Sequence, residues 1–489
     1  MNSVPSRRQF IAGSGILVAG LAAGCRSSSA PGPQPDATNT GPSQVQPTGS
    51  LGPELIPNPK PEDLVGGPQW TPPDLAGKSL TLWGLNYAPH VQRYKALAVK
   101  FNELTGAKVN VQPQDNIERQ MLTAIAGNNA PDVVCLMGRM SGQLVKQKAL
   151  LDLKDDVYGA LQIDMEKWWF PDAIQSYTWG DAIYGVPTEP GTSGYAVTGR
   201  TDLVSKASPE AKSLWPGSVD EADWPTRGVA FKSYDELFSL GKELQQGSGK
   251  SKVWGVNRQG WELQSLSSLM LQQDTLFWNE ESGEYNLDNE ACVKGLDTMI
   301  TTPYKMGIES NLAVGNIGNS YLAKQVALAI GASGIAGQAA LVHVPAEGVI
   351  APPMVEGTEN PLFMSEGGWG FEIPAKAKNA KNRDTALEFV KFMTTYEAQF
   401  IYAQIYGGLQ PACRALSSSE VYAGDDAIGR GLRRIIQVAP NLRFDGHGRD
   451  PQSEDIVMEI MTSVRTGKTT SSEASKMLQE KLTEQQKRF

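Results

Sequence analysis

The sequence has little of the residues that most catalytic and metal sites require. Its 489 residues include 3 histidines, at positions 90, 343 and 447, which lie far apart in the chain. Few histidines are therefore available to form a metal site or a Ser-His-Asp triad. The 44 Lys and Arg against 53 Asp and Glu give a formal net charge of −9, which lacks the basic excess of a nucleic-acid-binding protein. We expect no metal, no cofactor and no nucleic-acid partner.

Cysteine is also scarce, with 4 in the whole chain. Cys135 lies in an apolar strand pattern, Cys292 in a helix pattern and Cys413 in a loop after a proline. Their spacings match no metal motif. We expect buried free thiols, with one disulfide as the alternative.

The apolar run near the N-terminus, Ile11–Ala23, is too short and too rich in glycine for a membrane span, but it suits a signal sequence. Arg7 and Arg8 precede it, as in a twin-arginine export signal. The run ends in LAAGC, which is similar to a bacterial lipobox in which Cys25 is lipidated. Ala22 stands where that pattern usually has Leu, so cleavage without lipidation is the alternative.

Residues 26–77 are dominated by Pro, Ser, Gly, Thr and Gln and contain few large apolar side chains. Such a segment cannot bury enough apolar area to offset its ordering entropy. We predict a twin-arginine lipoprotein signal in residues 1–25, followed by a disordered tether in residues 26–77. The protein would then be exported and lipid-anchored on the outer face of the cytoplasmic membrane, or periplasmic.

From Ser79 the pattern becomes regular. The strand-like LTLWG is followed by a helical pattern that stops at Gly106, a second strand KVNV, another helical pattern and a third strand DVVCLM. Strands that alternate with helices predict an α/β fold with a parallel sheet. Because ligands bind beyond the carboxyl ends of such strands, this singles out Asn86 and Tyr87 after the first strand, and Gly138 and Arg139 after the third.

A second informative stretch is PLFMSEGGWGFEIPAKAKN, at residues 361–379. Three glycines surround Trp369, so the backbone can approach another group closely while a large flat apolar face is presented. The stretch therefore predicts that Gly368 and Trp369 form one wall of a ligand-binding pocket. A glycine-rich turn with a core tryptophan is the alternative.

Taken in order, the motifs resemble those of a known family. They are LTLWG, FNELTGAKVNV, AIAGNNAPDVVCL, QKALLDL, GDAIYGVP, FKSYDEL, QVALAIGASG, VIAPPM, GGWGFEIPAKAKN, ALEFVKFMTT and GGLQPA, which together extend from about Leu80 to Cys413. The chain resembles the bacterial extracellular solute-binding proteins of ABC importers, in the family-1, carbohydrate-type group that includes maltose-binding protein.

The resemblance implies an α/β fold of two lobes that are joined by three hinge crossings and close on a ligand. The crossings would lie near 186–189, 361–365 and 407–411. Lobe 1 would comprise residues 78–187 and 365–406, and lobe 2 residues 190–362 and 412–489.

The ligand would be held between the lobes by loops that follow strands. The residues at matching positions are Asn86, Tyr87, Gly138, Arg139, Glu189, Gln259, Trp261, Ser333, Gly334, Gly368, Trp369, His447 and Arg449. Two positions depart from the family. Arg139 lies in a loop that usually supplies an aromatic and an acidic residue, which leaves an anionic ligand open, and Ile335 follows Gly334 where the family has an aromatic residue.

The resemblance further implies a monomeric, non-enzymatic receptor. It would capture a sugar or oligosaccharide and deliver it to the transmembrane subunits of an ABC permease. An anionic ligand such as a polyol phosphate is the alternative within transport. A glycosidase that uses Glu189 would need a second carboxyl group at about 5–10 Å, and no paired motif is visible in the sequence.

Overall fold

The structure is a computed structural model. It describes residues 64–190, 196–215, 231, 233–258, 262–279, 281–309, 317–331, 335, 339, 343–349, 355, 363–365, 367–376, 380–404, 411–418, 441–443 and 451–487. The predicted signal sequence and residues 26–63 of the predicted tether lie outside these ranges. The prediction of a disordered tether is wrong for residues 64–77, because Trp70 and Leu75 pack against the lobe 1 core and Nε1 of Trp70 donates to Oε2 of Glu388 at 2.9 Å. Within them, no helix combines the length and the apolar character needed to span a membrane.

Two sheets dominate the described part of the chain. One has five strands in the order β2-β1-β3-β14-β6, and the other has four in the order β12-β7-β11-β8. Three two-stranded pairs, β4-β5, β9-β10 and β13-β15, complete the set. The strands are β1 (Ser79–Leu85), β2 (Lys108–Gln114), β3 (Val133–Met137), β4 (Thr178–Trp179), β5 (Ala182–Ile183), β6 (Gly185–Pro187), β7 (Ala196–Gly199), β8 (Trp254–Arg258), β9 (Trp278–Asn279), β10 (Glu284–Tyr285), β11 (Val326–Gly331), β12 (Glu347–Val349), β13 (Phe363–Ser365), β14 (Trp369–Glu372) and β15 (Asn441–Arg443).

Helices cover both sheets. They are α1 (Ala88–Thr105), α2 (Ile117–Ala126), α3 (Gly138–Lys146), α4 (Met165–Trp168), α5 (Pro171–Gln175), α6 (Thr201–Val204), α7 (Pro209–Leu214), α8 (Tyr234–Leu244), α9 (Glu262–Leu271), α10 (Glu290–Leu296), α11 (Thr302–Lys305), α12 (Ile317–Leu322), α13 (Arg383–Met393), α14 (Tyr396–Gln404), α15 (Arg414–Ser418), α16 (Pro451–Arg465) and α17 (Ser471–Gln486). Short π-helical and 3₁₀ segments lie at 154–159, 249–251, 297–301 and 380–382.

The start of the five-stranded sheet confirms the predicted alternation. β1 pairs in parallel with both β2 and β3, and α1 ends at Gly106, whose left-handed φ of 76° favours glycine. The sheet is mixed, however, because β14 is antiparallel to β3 and to β6. The chain enters β14 at Trp369, opposite Met137 at the carboxyl end of β3. Strand β14 therefore runs in the direction opposite to β1, β2 and β3.

The two largest hydrophobic core clusters lie one in each lobe, and smaller clusters pack on the same two sheets. The lobe 1 core joins the five-stranded sheet to α1 and α13, for example through Phe101, Phe371 and Phe389, with Phe101 and Phe389 in edge-on contact at 5.2 Å between ring centroids. The lobe 2 core joins the four-stranded sheet to α8, α9, α16 and α17, for example through Phe238 and Ile460. Burial of large apolar side chains is the main stabilising contribution in each.

Chain segments far apart in sequence meet in each core. Ala412, Cys413 and Leu416 pack in the lobe 1 core, whereas the predicted boundary assigned residues from 412 onward to lobe 2. The lobe boundaries otherwise stay a prediction, since the crossing expected at 407–411 lies largely outside the described residues and the one expected at 361–365 lies partly outside them. Cys135, Cys292 and Cys413 are buried and free, which confirms the thiol prediction for the described cysteines.

Candidate functional site

The predicted first crossing and the start of β14 meet at the carboxyl end of β3. The backbone N–H and the hydroxyl of Thr188 both donate to the carbonyl oxygen of Trp369, at 2.8 and 2.7 Å. The Trp369 N–H in turn donates to Oε1 of Glu189 at 3.3 Å. Two of the predicted site residues, Glu189 and Trp369, which are 180 residues apart in the chain, are therefore neighbours.

Glycine is needed at this junction because backbones pass very close together. A Cβ on Gly368 would lie 2.1 Å from the carbonyl oxygen of Glu189, and a Cβ on Gly138 would lie 2.8 Å from Cβ of Ser176. The N–H of Gly138 donates to the carbonyl of Gly368 at 3.0 Å. Thus Gly138 and Gly368, both predicted site residues, hold the start of α3 against the strand that carries Trp369. The predicted loop after the third strand is therefore the first turn of a helix.

Three aromatic rings follow one another at the start of α1. The His90 ring lies 4.6 Å from the Trp369 ring and 5.8 Å from the Tyr87 ring, centroid to centroid. Tyr87 and Trp369 are both partly exposed, while His90 is buried between them. We call Tyr87, His90 and Trp369 the aromatic platform. It offers flat apolar faces on which the C–H face of a sugar can rest.

Two polar side chains, Tyr402 and Arg93, lie near the buried His90 ring of the aromatic platform. The Tyr402 hydroxyl lies 3.3 Å from Nδ1 of His90, and the Arg93 guanidinium lies 4.9 Å from the centre of the Tyr402 ring. Burial, and secondarily the positive charge of Arg93, hold the pKa of His90 well below its ordinary value. The imidazole is therefore neutral at pH 7 and acts as an aromatic surface.

Glu189 is the most unusual charged group of this region. It is buried, and its Oε2 atom makes no hydrogen bond to any residue that the structure describes. Burial raises the pKa of Glu189 from 4.5 to about 7, against the lowering effects of Arg93 and of the Trp369 N–H. A buried oxygen without a partner is costly, so a ligand hydroxyl that donated to Oε2 would be favoured.

A second buried carboxyl group, Glu372, lies at the other end of β14. It is fully buried, and the Ser141 hydroxyl donates to its Oε1. Burial raises the pKa of Glu372 to about 8, although the Ser141 hydrogen bond lowers it. Because its side chain is sealed inside lobe 1, Glu372 is not available to a ligand.

Two predicted residues are engaged by other side chains. Asn86 is exposed, and its Nδ2 donates to Oδ1 of Asp115 at 2.6 Å, so this pair lies at the rim of lobe 1. Arg139 pairs with Glu118 at 2.5 Å and with Glu454 at 3.3 Å. Both carboxylates bind the guanidinium that was expected to face a ligand.

The other predicted site residues, Gln259, Trp261, Ser333, Gly334, His447 and Arg449, lie outside the described residues, as does Cys25. The structure therefore brings Tyr87, Gly138, Glu189, Gly368 and Trp369 together in lobe 1. It leaves Asn86 and Arg139 beside them in ion-pair and hydrogen-bond contacts. The lobe 2 side of the predicted site remains a prediction.

Sequence reasoning missed His90 and Arg93, although the sequence carried a signal. His90, Tyr94, Leu97 and Phe101 follow one another at helical spacing and are all buried, so His90 extends the apolar face of α1 by one turn. A histidine and an arginine on a core-facing stripe, directly after the first strand, point to a polar cluster at the sheet edge.

The structure also contains a cavity away from the aromatic platform. A surface cavity of about 640 Å³ in lobe 2 is lined by the acidic residues Asp235, Asp288, Glu290 and Asp297 and by Lys294. None of the predicted site residues lines it. Among the residues that the structure describes, no group of three or more His, Cys, Asp or Glu side chains could hold a metal ion.

Several solved structures share this fold at low sequence identity. The maltose/maltodextrin-binding domain MalE from Bdellovibrio bacteriovorus, bound to maltotriose, matches with a TM-score of 0.66 and 16% identity over 84% of this chain and 100% of that chain. An ABC transporter solute-binding protein from Agrobacterium radiobacter, in complex with ribitol, matches with 0.66 and 19% over 84% and 100%. UgpB from Mycobacterium tuberculosis, in complex with glycerophosphocholine, matches with 0.62 and 16% over 84% and 99%.

These likenesses establish a two-lobed α/β fold of the MalE type. A comparison with curated proteins found no match. At the level of sequence, the family described as bacterial extracellular solute-binding protein matches residues 96–428, which is more than half of the chain. The chain therefore belongs to the bacterial extracellular solute-binding protein family.

Proposed function

We propose that this chain is the substrate-binding lipoprotein of an ABC importer, which captures a sugar or oligosaccharide between its lobes and delivers it to the permease. The observation that carries the proposal is the aromatic platform with Glu189 at its edge. Sugars are bound by flat aromatic faces together with carboxylates and amides that take the hydroxyl groups. Tyr87 and Trp369 supply the partly exposed faces, and Glu189 supplies the acceptor.

Closure would follow from ligand contacts to both lobes. A ligand that touches the platform on lobe 1 and the predicted loop residues Gln259 and Trp261 on lobe 2 binds the closed state better than the open one, and so shifts the population towards it. A micromolar dissociation constant corresponds to about −8 kcal/mol. A few aromatic contacts and charged hydrogen bonds can supply this free energy.

Export and anchoring belong to the same proposal. Membership of an extracellular family agrees with the twin-arginine signal in residues 1–25. Lipidation of Cys25 would hold the protein at the membrane, and residues 26–63 would give the two lobes the reach to meet the permease.

A ligand with an anionic phosphate group is the second candidate, because one structural relative is in complex with glycerophosphocholine, which carries a negatively charged phosphodiester beside its choline cation. The contacts of Arg139 argue against it, since two carboxylates already neutralise this guanidinium. A glycosidase is disfavoured as well. Glu372, the second buried carboxyl group on β14, is fully enclosed and cannot reach a substrate.

A thermal-shift screen of the full chain tests the proposal. The panel contains mono- and oligosaccharides, polyols, glycerol 3-phosphate, inorganic phosphate and amino acids. We expect at least one uncharged carbohydrate to raise the melting temperature, since saturation at a hundred times the dissociation constant stabilises by about 2.7 kcal/mol. A shift only from amino acids or phosphates would overturn the sugar assignment.

A further inference from the structure

Helix α16 of lobe 2 presents two consecutive carboxylates to lobe 1. Oε1 of Glu454 lies 3.3 Å from Nη1 of Arg139, and Oδ2 of Asp455 lies 3.3 Å from Nη2 of Arg119. The helix itself is fixed in lobe 2, because Val457, Ile460, Met461 and Val464 pack in that core. Both ion pairs therefore cross from one lobe to the other.

The two cross-lobe pairs differ in exposure to solvent. The side chains of Arg139 and Glu454 are 11% and 34% exposed, whereas those of Arg119 and Asp455 are 54% and 74% exposed. Water and salt screen the second pair strongly and the first pair much less. The contact between Arg139 and Glu454 is therefore the one that matters energetically.

Arg139 is held by carboxylates from both lobes. Glu118 of α2, whose side chain is 19% exposed, pairs with Nη2 at 2.5 Å, and Glu454 reaches Nη1 from α16. A guanidinium is the side chain best suited to bind a carboxylate or phosphate group. In this arrangement its charge is already compensated, and the net charge of Arg139, Glu118 and Glu454 together is −1.

This arrangement penalises an anionic ligand at this end of the cleft. An anion that approached Arg139 would have to displace Glu454 and would still face Glu118, so two like-charge repulsions would oppose it. An uncharged ligand meets no such repulsion. Lobe closure can then bring Glu454 onto Arg139 whatever neutral group occupies the platform.

We infer that Glu454 is a specificity-determining residue: its carboxylate crosses the cleft to Arg139 and occupies the place that a ligand anion would otherwise take, so the receptor selects uncharged ligands. The inference rests on the proposed function, since it assumes that the ligand binds between the lobes. It adds to that function a selection against negatively charged ligands, which we call the charge filter.

The variant Glu454→Gln tests the filter by freeing Arg139 from the lobe 2 carboxylate. The probes are inorganic phosphate and glycerol 3-phosphate, titrated by calorimetry at low salt into the full chain. We expect wild type to bind both weakly and Glu454→Gln to bind at least one of them tenfold more tightly or better. Because the gain is electrostatic, it should fall as salt is added.

Glu459→Gln is the matched control, because Glu459 lies on the same helix, is 73% exposed and pairs with Lys481 rather than with lobe 1. It removes the same charge and should gain no phosphate binding. Adding Arg139→Gln to Glu454→Gln should abolish the gain. Glu118→Gln offers a second route, since it removes the other carboxylate of Arg139.

Two results would overturn the inference: wild type binds the phosphates as tightly as Glu454→Gln, or neither Glu454→Gln nor Glu118→Gln gains phosphate binding. Failure of the filter is distinguishable from failure of the proposed function. If carbohydrates stabilise wild type while the variants gain no anion binding, the sugar receptor stands and the filter fails. If wild type binds phosphate and no carbohydrate, both fail.

Discussion

The two lobes both bury charged side chains beside their sheets, but they bond them differently. In lobe 2, Oε1 of Glu309 accepts two hydrogen bonds from Arg258, each at 3.0 Å, and its Oε2 lies 3.9 Å from Nε of Arg465. In lobe 1, Glu189 accepts a single backbone N–H, and its Oε2 has no partner among the described residues.

The difference separates a structural cluster from a binding one. A buried carboxylate between two guanidinium groups is charge-compensated and fixes the packing of α16 against β8. Oε2 makes no hydrogen bond to a described residue in either Glu309 or Glu189. Glu189, however, accepts only one backbone N–H and lies beside a partly exposed tryptophan, so it is less well compensated in the absence of a ligand. We therefore expect changes at Glu309 to affect folding, and changes at Glu189 and Trp369 to affect binding and its pH dependence.

The largest expected effect is on stability in lobe 2. Glu309→Gln leaves Arg258 and Arg465 buried without their carboxylate, and breaking such a pair costs about 3–5 kcal/mol. Urea unfolding of the full chain at pH 7 measures the loss. Glu189→Gln is the comparison variant and should not destabilise at this pH. Equal losses for the two variants would remove the distinction between the clusters.

The next effect is a pH dependence that arises in lobe 1. Because the folded-state pKa of Glu189 is raised from 4.5 to about 7, its contribution to stability is fully present below about pH 4.5 and is lost as the pH rises towards 7. A shift of this size corresponds to about 3 kcal/mol. We expect the unfolding free energy of Glu189→Gln to exceed that of wild type by a margin that grows over this range.

Glu372→Gln provides the control for this titration. The pKa of Glu372 is raised to about 8, so the margin between this variant and wild type should continue to grow up to about pH 8. Unfolding curves at half-unit pH intervals distinguish the two windows. A margin for Glu189→Gln that does not change with pH would refute the assignment of a raised pKa to this group.

Features that depend on local interactions could be predicted from the sequence, whereas features that depend on contacts between distant parts of the chain could not. The strands and helices from Ser79 to Met137 follow from local periodicity and from glycine stops such as Gly106, and they are confirmed. The antiparallel entry of β14 could not be read from periodicity, because it depends on how the chain returns from lobe 2.

The site residues divide in the same way, into those that local sequence predicts and those that depend on contacts between distant parts of the chain. Gly368 and Trp369 were predicted to be ligand-site residues from the composition and spacing of a single stretch. The partner of Arg139 was not, because Glu454 is 315 residues away and nothing local in the sequence links them. His90 was overlooked because a single histidine on a buried helix face is more often a core residue, and its contact with Trp369 is visible only in three dimensions.

A moderate effect is expected for the aromatic platform. Trp369→Ala removes a partly exposed flat face and should weaken carbohydrate binding at least tenfold, or about 1.4 kcal/mol. It should lower the melting temperature of the unliganded protein far less than Trp168→Ala, because Trp168 is fully enclosed in the lobe 1 core and such a truncation costs about 3–5 kcal/mol. Calorimetric titration and thermal melts of both variants provide the comparison. The opposite ranking would make Trp369 a core residue.

The smallest effect is expected at the rim. Asn86→Ala removes an exposed hydrogen bond to Asp115 and should change stability by less than about 1 kcal/mol. Its effect on carbohydrate affinity should stay below that of Trp369→Ala in the same titration. A larger loss of affinity than for Trp369→Ala would move the centre of the site from the platform to the rim.

The most direct test of the central claim is a crystal structure of the full chain with the carbohydrate that gives the largest thermal shift. We expect a sugar ring packed against Trp369 or Tyr87, a ligand hydroxyl that donates to Oε2 of Glu189, and Glu454 paired with Arg139 across the closed cleft. A carbohydrate bound in the acidic cavity of lobe 2, with Trp369 and Glu189 free of ligand, would contradict it.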